Sequence, residues 1–296
     1  MSTVAPPRVV EVIATDAHEG PVYAADEDAL YFTTVPRRSS HLDLTLPLVS
    51  VRRLALDGLR FPLEPHRLTT LRAPANAANG MTMDREGRLV ICEQGSFLEP
   101  AAITRLDRRT GAIETIVDGA GGIPLASPND VVVARDGAIW FTDPGYGHLQ
   151  GFRPEPAVAD VVYRYDPAAR RLAVAASGFD KPNGLAFSTD EDVLYVSDNG
   201  APQQLLAFDV DGGRLSGRRV FAAGTRGHPD GLAVDPTGRV YASAANGIHV
   251  FSPAGERVGE IELPGAVNFA FRRDGVLFVT ADTAIWAVLP GGQDSR

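Results

Sequence analysis

One short pattern recurs six times along the chain, and no other feature restricts its fold as strongly. The clearest copy runs from Pro182 to Gly200, Pro-Asn-Gly-Leu-Ala-Phe-Ser-Thr-Asp-Glu-Asp-Val-Leu-Tyr-Val-Ser-Asp-Asn-Gly. A polar residue, Asn183, and then Gly184 precede the apolar run Leu185-Ala186-Phe187. Asp190-Glu191-Asp192 turns the chain, and Val193-Leu194-Tyr195-Val196 is β-branched and aromatic enough to return as a strand. Each copy therefore predicts a β-hairpin with a polar side chain at its entrance.

The other copies open at Glu19, Asn79, Asn129, Asp230 and Asn268. A spacing of roughly 40 to 60 residues lies in the range of β-propeller blades. The expected fold is all-β, a six-bladed β-propeller forming a single domain over 1–296, with its core at roughly 8–290. Arg8 to Thr15 reads as a lone strand before the first copy, while the last copy has three strands, Phe269–Phe271, Val276–Thr280 and Ala284–Leu289. Pairing of the N-terminal strand with that last blade would close the ring and remove its exposed edges. Gly291 to Arg296 is expected to fray.

Composition narrows the partners. A net charge of −9 disfavours nucleic acid or an anionic membrane as a partner, and no run of 18 apolar residues is available to span a bilayer. Met1 to Pro7 lacks the charged start and apolar core of a signal peptide, and the single Cys92 has no partner for an internal disulfide. These features lead to the expectation of a cytoplasmic protein acting on a small molecule. The oligomeric state is not legible.

In a propeller the polar openings meet at one face and the hairpin turns lie at the other. The turn aspartates of Asp84 to Gly87, Asp136-Gly137, Asp235 to Gly238 and Asp274-Gly275 are therefore assigned to structure. Glu19, Asn79, Asn129, Asn183, Asp230 and Asn268 converge. Carboxylates with amide oxygens are hard ligands that suit Ca²⁺, or Mg²⁺ and Mn²⁺ with more water. Two long connections return to that face and are expected to wall a pocket: Thr34 to Val49, with Arg37, Arg38, His41 and Asp43, and Pro144 to Asp160, with Tyr146, His148, Phe152 and Arg153. His148 is the better acid/base candidate among the histidines. His18 and His228 adjoin Glu19 and Asp230, and because adjacent residues on a strand point to opposite faces, direct metal ligation by both members of either pair is not expected. Trp140, Phe141 and Tyr195 read as core. No Gly-x-Ser-x-Gly elbow, His-Glu-x-x-His, phosphate loop or dinucleotide fingerprint is present.

Glu19-Gly-Pro, Ser127-Pro-Asn-Asp with Trp140-Phe-Thr-Asp-Pro-Gly-Tyr-Gly, Lys181-Pro-Asn-Gly-Leu-Ala-Phe-Ser and Pro229-Asp-Gly-Leu-Ala-Val-Asp resemble the senescence-marker-protein/gluconolactonase (regucalcin-like) family. The resemblance spans roughly 15–290. It implies a six-bladed propeller with one divalent cation on the channel axis, Ca²⁺ first, with Zn²⁺, Mn²⁺ or Mg²⁺ as alternatives. It places metal ligands on Glu19, Asn183 and Asp230, and makes Asn129 a further ligand or substrate contact. Family members hydrolyse sugar lactones, other lactones or organophosphates.

The expected function is thus a metal-dependent lactone or ester hydrolase. Asp230 or His148 would activate water, and Asn129, Asn79 and Tyr146 would contact substrate. The chain departs from close gluconolactonases where apolar Gly122-Ile-Pro-Leu-Ala126 precedes Ser127-Pro-Asn-Asp, where Tyr23 replaces a Trp, and where Cys92-Glu-Gln94 replaces Cys-Glu-His. Ile123 and Leu125 favour a less polar lactone or ester. The alternatives are a biosynthetic enzyme using the same metal pocket for an isomerisation or cyclisation, and a non-catalytic ligand-binding propeller.

Overall fold

The computed structural model describes residues 6–41, 44–58, 60–224 and 227–291. Among them, six four-stranded antiparallel sheets surround a central axis as blades. Blade 1 runs outward through Ala17–Ala24, Ala29–Thr34, Val51–Ala55 and Leu68–Arg72. Blade 2 uses Ala78–Met83, Leu89–Glu93, Ala102–Leu106 and Ile113–Val117, and blade 3 uses Val131–Val133, Ile139–Asp143, Val161–Asp166 and Arg171–Ala176. Blade 4 comprises Pro182–Phe187, Val193–Asp198, Gln204–Asp211 and Arg214–Ala223; blade 5 comprises Leu232–Val234, Val240–Ala244, Gly247–Phe251 and Arg257–Glu262. In blade 6 the strands Asn268–Phe271, Leu277–Thr280 and Ala284–Leu289 are completed by the N-terminal strand Arg8–Ala14, with Arg8 opposite Leu289 and Ala14 opposite Ala284. The ring closes as the repeat count required.

The second strand of each blade is buried on both faces, which explains its unbroken hydrophobicity. Leu30 and Phe32 face blade 6 and pack with Val12, Phe278 and Ile285, while Ala29 and Tyr31 face blade 2 and meet Leu89 and Ile91. Trp140 and Phe141 divide in the same way between neighbouring interfaces. Both are core, as is Tyr195.

Two further positions of the repeat fasten the blades. The glycine after the polar opening lies where adjacent innermost strands nearly touch: Gly80 N donates to Asn129 O at 2.8 Å, Gly184 N to Asp230 O at 3.1 Å and Gly231 N to Val267 O at 2.9 Å. The glycine is there for close approach, not for a turn. Beside each opening, on the second strand, stands Thr33, Cys92, Thr142, Ser197, Ser243 or Thr280, directly paired with it at Glu19–Thr33 and Asn268–Thr280. Thr33 Oγ1 donates to Asn79 O at 3.0 Å, Thr142 Oγ1 to Asn183 O at 2.7 Å and Ser197 Oγ to Asp230 O at 2.7 Å. The solitary Cys92 is the blade-2 version of this position. Its thiol is buried, and burial, followed by the nearby Asp130, Asp143 and Glu19 charges, pushes it well above the ordinary thiol range. Thr142→Val is expected to cost about 1–3 kcal/mol in urea unfolding, because it strands Asn183 O and the Asp130 amide in a buried setting.

The turn aspartates behave as structural groups at the far face. Asp235 accepts from Thr237 N at 2.8 Å, Arg239 N at 3.1 Å and Arg239 Nε at 2.7 Å; Asp84 repeats this with Glu86 and Arg88. Burial raises the Asp235 carboxyl, but the bonds from Thr237 and Arg239 outweigh it and hold the group below the usual carboxylate range. The stability this adds is present above the ordinary carboxylate pKa and is lost as pH falls through the lowered folded value. Asp235→Asn should cost about 1–3 kcal/mol of stability in thermal or urea unfolding, most of it absent in acid, and leave turnover unchanged.

The two long connections carry small elements of their own. One contains a hairpin of Arg37–His41 with Leu44–Leu48, the other a single-turn helix, Tyr146–Leu149. Asp43, the side chain of His41 and residues 292–296 of the terminal stretch lie outside the described residues. No helix among the described residues is long and apolar enough to cross a membrane.

Candidate functional site

At one end of the channel lies a cavity of about 450 Å³. Glu19, Asn79, Asn129, Asn183 and Asp230 line it, so five of the six openings meet. Asn268 has a different task. Its Nδ2 donates to Glu19 Oε2 at 2.7 Å while its Oδ1 accepts from the Phe269 amide at 2.7 Å, which orients Glu19 from behind.

The walls come from the connections chosen on sequence grounds. Pro36, Arg38 and Pro47 belong to the hairpin connection, and Tyr146, Gln150 and Phe152 to the helical one. The Asn183 amide donates to the Tyr146 hydroxyl at 3.4 Å. Gln94, noted in the sequence only as a departure from the family pattern, and Asn199, not singled out at all, also line the cavity. Both stand just past the second strand of a blade, where the chain re-emerges at this face, so their position in the repeat was the available signal.

Three expectations need correction. His148 is exposed, outside the cavity lining, on a helix whose one buried residue is Gly147. Ile123 and Leu125 do not border the cavity either. Ile123 is exposed on a two-stranded ribbon with Gly119–Ala120, and Leu125 packs in the core between blades 2 and 3. Polar side chains such as Asn79, Gln94, Asn129 and Asn199 line the cavity beside Pro36, Pro47 and Phe152, and neither Ile123 nor Leu125 bears on substrate polarity there. His18 is the third case: alternation would turn it away from Glu19, yet both residues line the cavity. Its strand shifts register on either side of Glu19, and Gly20 adopts φ +56°; such a bulge re-aims side chains.

Arg153 has a supporting role. Its guanidinium donates to Ala126 O and Leu125 O at 3.1 and 2.9 Å and to Ser96 O at 3.1 Å, bracing the approach to Asn129.

The electrostatics ask for positive charge. Burial raises Glu19 well above the usual carboxylate range, and the Asp230 and Asp130 charges raise it further. Burial likewise pushes Asp230 to about 6, against the lowering influence of His18, and Asp130 to about 7. Asp130, unmarked in the sequence reading, sits behind Asn129 with its oxygens on the Val131 and Leu185 amides. Asn79 Oδ1, Asn129 Oδ1 and Asp230 Oδ1 are buried and have no hydrogen-bond partner among the described residues. Orphaned buried oxygens of this kind are costly unless something binds them, and two carboxylates with amide oxygens form the hard donor set of a divalent cation. Among the described residues no group of three or more His, Cys, Asp or Glu could hold a metal; the candidate donors that converge here are two carboxylates and amide groups.

Residues 17–283 match the family described as the SMP-30/Gluconolactonase/LRE-like region. A gluconolactonase of Zymomonas mobilis is 32% identical over 290 residues, covering 92% of this chain and 78% of that protein. The solved structure of a gluconolactonase from Xanthomonas campestris superposes with a TM-score of 0.79 at 33% identity, over 96% of this chain and 90% of the other. A calcium-binding protein, regucalcin, from Agrobacterium tumefaciens shares the fold at a TM-score of 0.72 and 17% identity, over 99% and 98% of the two chains.

Proposed function

The chain belongs to the SMP-30/gluconolactonase/LRE-like family, and on that premise we propose that it is a divalent-metal-dependent hydrolase of hydroxylated lactones. The observation that carries the reading is the set of partnerless buried oxygens on Asn79, Asn129 and Asp230, facing one polar cavity with Glu19 and Asn183. Glu19, Asn183 and Asp230 would hold the ion, with Asn129 as a further ligand or substrate contact. An all-oxygen set favours Ca²⁺, then Mg²⁺ or Mn²⁺. When bound, the ion supplies the positive charge that polarises an ester carbonyl and steadies the oxyanion formed from it.

The remaining chemistry belongs to side chains. Asn268 holds Glu19 in place from behind. Burial pushes the Tyr146 phenol above its ordinary range, so it stays protonated and can donate to a substrate oxygen. Asn79, Gln94 and Asn199 offer amides suited to ring hydroxyls, and Arg38 adds a cation at the wall. Phe152 and the two prolines give the apolar body of a sugar ring a surface to lie on.

The reading is tested by following acid release, in the presence of Ca²⁺, from gluconolactone, unsubstituted lactones and aryl esters. Gluconolactone should have the highest kcat/KM, because a site built to hydrogen-bond hydroxyls discriminates against analogues lacking them. A higher kcat/KM for every unsubstituted lactone would show that the polar lining does not select substrate. Absence of lactone hydrolysis with any divalent ion would overturn the proposed function.

A further inference from the structure

Next to the ligand set stands a pair of residues that the metal site does not use. His18 Nδ1 lies 2.7 Å from Asp282 Oδ1, across the seam where blade 6 meets blade 1. An ionised carboxylate only accepts hydrogen bonds, so the imidazole must donate its Nδ1–H to it. That fixes the neutral ring as the Nδ1–H tautomer and leaves Nε2 as a bare acceptor. Nε2 has no protein partner among the described residues, and the ring forms part of the cavity wall together with Glu19 and Asp230.

Two features of the backbone place the pair there. The bulge around Glu19 brings His18 and Glu19 to the same cavity although they are consecutive. Asp282, in the turn after Leu277–Thr280, holds φ +55°, uncommon for a residue other than glycine, and that turn is held by Thr15 N, in the short link from the N-terminal strand of blade 6 to blade 1, donating to Thr283 O at 3.0 Å. A left-handed aspartate that carries a histidine on the rim of a cavity is a positioning arrangement of the kind found at functional sites.

We propose that His18, oriented by Asp282, is the proton acceptor that activates water for attack on the lactone carbonyl; this rests on the hydrolase reading above. The water oxygen bonds to the carbonyl carbon as its proton passes to His18 Nε2, and the carbonyl electron pair moves onto the carbonyl oxygen. Collapse restores the C=O bond and breaks the ring C–O bond. The pair leaves on the ring oxygen, which takes the proton back from Nε2. The net change is lactone plus water to hydroxy acid, with the imidazole regenerated. A neutral imidazole suits this task better than Asp230, whose carboxylate oxygens are given to the cation.

The test compares the parent, His18→Gln and Asp282→Asn at saturating Ca²⁺. A positioned general base contributes about 10²–10⁴-fold, so His18→Gln should lose kcat by that factor while KM and the Ca²⁺ affinity from calorimetry stay within about threefold of the parent. Added imidazole should restore part of the rate. Asp282→Asn should lower kcat less than His18→Gln does, with KM unchanged. Independently of activity, ¹⁵N-histidine NMR at pH 8 should assign His18 to the Nδ1–H tautomer in the parent and show a mixture in Asp282→Asn.

Parent-like kcat in His18→Gln would overturn the proposal and leave the hydrolase reading standing. So would loss of rate that follows loss of Ca²⁺ affinity, or an Nε2–H tautomer in the parent. A parent that hydrolyses no lactone would overturn both.

Discussion

Asp230→Asn is expected to weaken Ca²⁺ binding and, because a poorly held cation stabilises the developing oxyanion less, to lower lactone turnover by about 10²–10³-fold. The fold should survive. The bonds that fasten this residue to blade 4 use its backbone carbonyl, which accepts from Gly184 N at 3.1 Å and from Ser197 Oγ at 2.7 Å. The substitution keeps size and one donor oxygen while removing a charge. It also relieves repulsion, since the Asp230 charge helps raise Glu19 in the metal-free protein. Thermal unfolding in chelator should therefore place the variant level with the parent or above it. Parent-like turnover would take Asp230 out of the ligand set.

The second large effect concerns architecture. A Cβ at Gly184 would lie 2.4 Å from Asp230 O and 2.9 Å from Leu232 N, both backbone atoms of the next blade. Gly184→Ala must therefore push blade 5 away or break the Gly184–Asp230 hydrogen bond. A loss of about 3–5 kcal/mol in urea unfolding is expected, since rigid backbone cannot give way as a side chain would. Gly259→Ala is the control, because its Cβ would make only ordinary contacts of 3.6 and 3.8 Å with Val250. That substitution should change stability by no more than about 1 kcal/mol in either direction. Equal stability of the two variants would contradict the close-approach reading of the repeat glycines.

Much of the blade pattern could be read directly because repetition multiplies weak signals. A single Asn-Gly could be a turn, but six polar openings each followed by a strand and a return could not all be turns, and the lone strand at Arg8–Ala14 had an evident place in blade 6. The convergence of Glu19, Asn79, Asn129, Asn183 and Asp230 follows from that topology. Local irregularities were harder. The bulge at Glu19 breaks the alternation that argued His18 away, and alternation cannot foresee a bulge. Ile123 and Leu125 are two residues apart, yet one faces solvent and the other the core, because a small ribbon intervenes in the connection. His148 failed for a related reason, since a single helical turn put Tyr146 into the cavity wall and His148 outside it. The small polar residue beside each opening was legible in principle. Thr33, Thr142, Ser197, Ser243 and Thr280 recur in register, and only Cys92 disguises the series.

The proposed function depends on an ion being bound where Glu19, Asn183 and Asp230 meet. The direct measurement is a titration of chelator-treated protein with Ca²⁺, following bound metal by calorimetry and lactone hydrolysis in parallel. The account predicts that turnover falls with chelation and returns as about one equivalent of ion binds to this all-oxygen set, with both signals lost in Glu19→Gln. Full lactone turnover by protein that elemental analysis shows to be metal-free would contradict it.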